Sequence, residues 1–142
     1  MRRRTIFIIL FAIVLVVAVG AAFTLRSRKR GYSMMCAGRL FPMEFVAMES
    51  AEESQSDRYP THLTYLSNYL ATKWMICPSD SSRRAASDWA SFTPGHSSYE
   101  LVTPGLVRTD TNSVFLRCRV HGHMAYSDHT VFDGTRRRHK FD

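Results

Sequence analysis

The chain has 142 residues, of which 45% are hydrophobic, 22% charged and 12% aromatic. That length allows one domain of ordinary size, and the composition excludes collagen-like, disordered and disulfide-dense classes. The formal charge of +7 suggests nucleic acid until its location is read. Residues 1–30 hold seven Lys/Arg and no acid, whereas residues 31–142 hold twelve of each sign. The seven residues 136–142 are +3, which leaves residues 31–135 at −3. A domain so balanced has no basic footprint for a phosphate backbone, and no nucleic-acid partner is expected.

The first predicted element is Thr5–Leu25, an uncharged apolar run. As a helix it is about 31 Å long, enough to cross a hydrocarbon core with its backbone groups satisfied internally. Arg2, Arg3 and Arg4 precede it, and Arg26, Arg28, Lys29 and Arg30 follow, placed for head groups on either side. A retained anchor, a signal peptide cut near Gly20-Ala21-Ala22 and a buried helix compete for this segment. The run is long for a signal sequence, and basic residues just beyond a cut disfavour translocation, so an anchor in membrane lipid is the reading taken. Charge is similar on both flanks and does not set the topology. The expected organisation is a basic N-terminus 1–4, a transmembrane helix 5–25, a basic linker 26–32, a soluble domain 33–135 and a basic tail 136–142.

Ser33–Glu53 reads as a second helical stretch, broken near its start. Leu40, Met43, Val46 or Ala47, and Ser50 share one side, while Glu44, Glu49, Glu52 and Glu53 are expected on the surface. Gly38 and Pro42 weaken its first half, so Pro42 is expected in the first turn or at a kink. Pro60-Thr61 opens a short helix, His62–Ala71, with Thr61 as its cap. Trp74–Cys77 reads as a strand stopped by Pro78, and Ser79–Ser82 as a turn. Tyr99–Val102 and Val114–Cys118 read as strands. His123–Tyr126 and Thr130–Phe132 read as a hairpin with Ser127-Asp128 in its turn. Helices first and short strands afterwards is an α+β pattern: an N-terminal transmembrane helix, then a helix packed on a small antiparallel sheet.

Cys36, Asp57-Arg58-Tyr59-Pro60, Cys77-Pro78-Ser79-Asp80, Ser98-Tyr99 and Cys118-x2-His121-Gly122-His123 follow the apolar span in that order. This order resembles the type II secretion pseudopilin-like (type IV pilin-like) proteins of planctomycete and verrucomicrobial bacteria. That family has a Cys near the start of its helix, an aromatic residue before proline, a CPSD segment and a CxxHG segment. His123 with Asp133-Gly134 matches the family's H-x9-DG pattern, and Asp128-His129-Thr130-Val131 is similar to its DGSV segment, with His129 in place of Gly. The resemblance covers about residues 33–134. It implies a pilin-like fold and a single-pass bacterial inner-membrane protein with its domain on the periplasmic side. It also implies a non-enzymatic role, without a cofactor, in contacts with envelope or secretion-assembly proteins, self-association included. In the family the apolar helix carries a Glu that neutralises a neighbouring subunit's N-terminal amine. No Glu lies in Thr5–Leu25, and Phe23-Thr24-Leu25 comes at its end. A permanently anchored relative that caps or docks an assembly is therefore expected, since a buried unpaired amine is costly.

Cys77 and Cys118 flank predicted strands behind an export-type segment, and a disulfide between them is expected to contribute ~3–4 kcal/mol. Free buried thiols are the alternative, and Cys36 stays odd. Cys118-x2-His121-x-His123-x4-Asp128-His129 is the densest run of metal-ligand types. An anchored zinc domain using His121, His123, Asp128 and His129, with hydrolysis as its sharper form, is the second functional reading. A thiolate ligand at Cys118 and the disulfide exclude each other. No nucleophile elbow or Gly-rich phosphate loop occurs, Asp128 and Asp133 read as turn formers, and Trp74 and Trp89 as core or interface residues.

Overall fold

The computed structural model of the protein describes residues 2–134 and 137–138. The basic tail lies outside the described residues apart from the backbone of Arg137–Arg138. The chain divides into two compact units, one up to Tyr32 and one from Ser33 onward.

Helix α1 spans Arg2–Glu53. In the first unit its most apolar 18-residue window has a mean hydropathy of 3.0, and none of that window is buried in the protein. It is long and apolar enough to span a membrane. In the second unit the same helix becomes a core element. Cys36, Leu40, Met43, Ala47 and Ala51 are buried at three–four spacing, the stripe of a helix packed on one side.

The expected break does not occur: Gly38 and Pro42 both lie inside α1. Proline cannot donate to the carbonyl four residues earlier, and its ring crowds that position. Here that position is Gly38, exposed and with no atom near the place of a side chain. The orphaned carbonyl is thus on the wet side of the helix. Glu44 corrects another expectation. It is 1% exposed rather than on the surface.

Between α1 and the sheet the chain is short and irregular. The expected helix His62–Ala71 is a 3-10 segment, Leu63–Asn68, whose N-cap is His62 rather than Thr61. The expected strand at Trp74–Cys77 is instead a 3-10 turn, Thr72–Met75, followed by extended Ile76. Leu66 and Met75 anchor these turns in the core.

The sheet is antiparallel throughout, in chain order: β1 (Tyr99–Leu101), β2 (Val114–Cys118), β3 (Met124–Tyr126), β4 (Val131–Phe132) and β5 (Arg137–Arg138). Tyr99 sits opposite Cys118 and Leu101 opposite Leu116, with all four side chains buried or partly buried. The alternate pair, Glu100 and Arg117, faces out, and the Arg117 and Arg119 Nε–H groups donate to Glu100 at 2.7 Å each. The register between β2 and β3 slips between Val114 and Leu116. That bulge lets the consecutive residues Phe115 and Leu116 both be fully buried, which a regular strand forbids. Phe115 packs against Tyr59, with ring centroids 4.7 Å apart. Trp74 and Trp89 pack against this core as expected. The β3–β4 hairpin turns through Ser127–His129, closed by Tyr126 N–H to Thr130 O at 2.9 Å.

Candidate metal centre

Four side chains from separate segments meet where α1 crosses the sheet. Cys36 comes from α1, Cys77 from the stretch after the second 3-10 turn, Cys118 from the end of β2 and His121 from the β2–β3 turn. Their ligand atoms all lie within 4.8 Å of one another. Each arrives for a local reason. Cys36 occupies the buried stripe of α1. The Cys77 N–H donates to Ser98 Oγ at 2.9 Å, and Ser98 N–H donates to Met75 O at 2.8 Å, which fixes this segment beside β1. The end of β2 is closed by Cys118 N–H to His123 O and Gly122 N–H to Cys118 O. Gly122 takes φ +69 there, a left-handed conformation that glycine adopts without steric cost. This turn brings His121 Nδ1 to 3.3 Å from Cys77 Sγ.

The electrostatics of the three thiols differ. A hydrogen bond from the Cys36 thiol and backbone N–H groups of His121 and Val120 favour a thiolate at Cys118, outweighing its burial, and hold it down to about 5. The same contact and burial push Cys36 up. Burial pushes Cys77 up, against a backbone donor from Ser79. Tyr99 Oη donates to Cys36 Sγ at 3.6 Å.

The expected Cys77–Cys118 disulfide is not present: all three cysteines are free, buried thiols. The histidine and aspartate set expected from spacing is not brought together either. His121 joins the cysteines. His123 is buried beside it, with rings 5.0 Å apart and Nε2 3.1 Å from Ser33 Oγ. Asp128 accepts from the Thr130 N–H within its own turn. His129 Nδ1 is 2.8 Å from Glu44 Oε2, and Tyr59 Oη donates to Glu44 Oε1 at 2.8 Å.

No protein-family profile, curated protein or solved structure matches this chain.

Geometry alone therefore assigns roles. Of the residues with family-type motifs, Cys36, Cys77, Cys118 and His121 form the centre itself. Pro78 and Ser79 follow Cys77 directly in the same segment. Asp80 accepts from Ser98 Oγ at 2.7 Å and pairs with Arg83 at 2.7 Å, bracing the Cys77 loop from behind. Tyr59 and Pro60 lie elsewhere, at the Glu44 network and where the loop meets Gly105. Asp133 and Gly134 follow β4, with Gly134 at φ +86.

Chemically, three sulfurs and one imidazole nitrogen are donors for a soft divalent cation. Cys77, the thiol next to His121, is 1% exposed and has its ionisation opposed by burial, the reverse of a reactive cysteine. Sequence reasoning left two of the four out of its ligand set: Cys36, which carries no local ligand spacing and stood only as a motif residue, and Cys77, which was read as the disulfide partner of Cys118. The C-x2-H step at 118–121 and the expected nearness of Cys77 to Cys118 are the signals that pointed to the centre.

Proposed function

We propose that this chain is a non-enzymatic, single-span membrane protein of pseudopilin-like type. Its domain lies on the periplasmic side of a bacterial inner membrane and works through contacts with other envelope or secretion-assembly proteins. The observation that carries this reading is the composition of α1. One helix holds a bare apolar stretch long enough for a bilayer and, after its basic residues, the buried stripe of an α+β domain. A long apolar helix that continues into a domain with a small antiparallel sheet supports the pilin-like reading that the order of motifs implies. The absence of an acid from Thr5–Leu25 favours a subunit that docks on or caps an assembly over one buried along a filament. The hydrolytic alternative would require His121, His123, Asp128 and His129 to converge, and their contacts lie with different partners.

Crosslinking in native membranes followed by extraction in mild detergent tests the proposal. Recovery of the chain in the membrane fraction, joined to other envelope proteins or to itself, is expected. Recovery of monomer alone would contradict the assembly role.

A further inference from the structure

We infer that Cys36, Cys77, Cys118 and His121 form a closed, four-ligand zinc site that ties helix α1 to the sheet. The site lies wholly within the unit from Ser33 onward and is independent of what that domain contacts.

The distances fit the ion. Zinc binds thiolate at ~2.3 Å and imidazole at ~2.0–2.1 Å, so the edges of a tetrahedral Cys3His site are about 3.5–3.8 Å long. Cys77 Sγ and His121 Nδ1 are already 3.3 Å apart, and the widest ligand separation is within 4.8 Å. Closing the set around an ion takes side-chain rotation of about an ångström and leaves the backbone in place.

The donors also fit. Three sulfurs and one nitrogen fill a tetrahedron, with no position left for water or substrate, which is the mark of a structural site rather than a catalytic one. Zinc is the metal that tetrahedral thiolate-rich sites select, iron–sulfur clusters apart. Binding proceeds by ligation alone. Each sulfur binds Zn2+ as thiolate, any thiol proton still held going to solvent, and the His121 ring nitrogen contributes a lone pair, with no oxidation or reduction.

The surroundings carry the argument further. Metal thiolates need donors aimed at sulfur, and outer-shell hydrogen bonds that hold the ligands still. His121 Nδ1 lies 3.3 Å from Cys77 Sγ, and the β2–β3 turn that carries it is closed by Gly122 N–H to Cys118 O. Tyr99 Oη donates to Cys36, and Ser98 links the Cys77 backbone to Asp80. A disulfide uses none of these donors, and any single bond among three cysteines strands one buried thiol beside an imidazole. Zinc uses all four groups at once. It would also keep the thiols reduced in an oxidising compartment.

The test uses the full chain, extracted in detergent without chelator. Elemental analysis is expected to find about one zinc per chain. Replacement by cobalt is expected to give thiolate charge-transfer absorption and the intense visible bands of a tetrahedral site. All three thiols should resist alkylation until a chelator is added. Cys118→Ser should weaken zinc binding by at least about tenfold. His123→Gln should leave it in place, and His121→Cys should retain zinc while shifting the cobalt spectrum towards four sulfurs. Should Cys118→Ser fail to fold, the wild-type cobalt spectrum and His121→Cys decide. Metal-free wild type, an intact mass showing a Cys77–Cys118 bond, or full zinc affinity in Cys118→Ser would each overturn the site.

Discussion

Asp80 shows how much a single carboxylate organises. Burial alone would raise its pKa, but donors from Ser82, Ser98 and Arg83 outweigh that and hold the carboxyl well below its ordinary 3.8. A depressed carboxylate adds stability above its unfolded pKa, and that stability is lost as pH falls through the folded value. Asp80→Asn is therefore expected to cost about 1–2 kcal/mol at neutral pH. Denaturant titrations should show the gap to wild type narrowing as pH falls below 3.8. Glu44 has the opposite sign. Burial raises its pKa, against the hydrogen bonds from His129 and Tyr59. Removing one partner leaves the acid short of a donor, so His129→Ala should destabilise the protein by about 1–3 kcal/mol in the same titration. His129 also holds φ +64, a strained value for a residue with a side chain, in a turn closed by His129 N–H to Tyr126 O and Tyr126 N–H to Thr130 O. Asp80 was legible as a turn acid in a Ser-rich segment. Glu44 was not, because its neighbours on α1 are exposed acids and its partners come from residues 59 and 129.

At the scale of elements, α1 tolerates a proline because its unmet carbonyl belongs to an exposed glycine. Restoring the donor with Pro42→Ala should stabilise the domain by about 1–3 kcal/mol, read as a higher denaturation midpoint with an unchanged slope. Leu40→Ala, by contrast, opens a cavity at a fully buried site and should cost about 2–5 kcal/mol. The strands were readable since alternation and turn residues mark them: Val114–Cys118 is β2 to the residue. The 3-10 segments Leu63–Asn68 and Thr72–Met75 were not. Their three-residue repeat mimics a short helix in one case, and a run of apolar side chains mimics a strand in the other. The bulge at Phe115 was also hidden, because it is a property of the pairing and not of β2 alone.

For the whole molecule, the sequence exposed the division between an apolar span and a charge-balanced domain, since hydropathy and net charge are local sums. The centre was only half visible. Cys118 and His121 sit within one turn, while Cys36 and Cys77 reach them through the packing of α1 and an irregular loop that no spacing rule encodes. The claim on which the functional reading stands is that Thr5–Leu25 remains in the chain and rests in lipid. Alkaline washing of native membranes, followed by intact mass of the extracted protein, measures both parts at once. The chain should stay in the membrane pellet at its full 16.3 kDa. Release into the wash, or a mass shortened by cleavage after Ala22, would contradict the anchor.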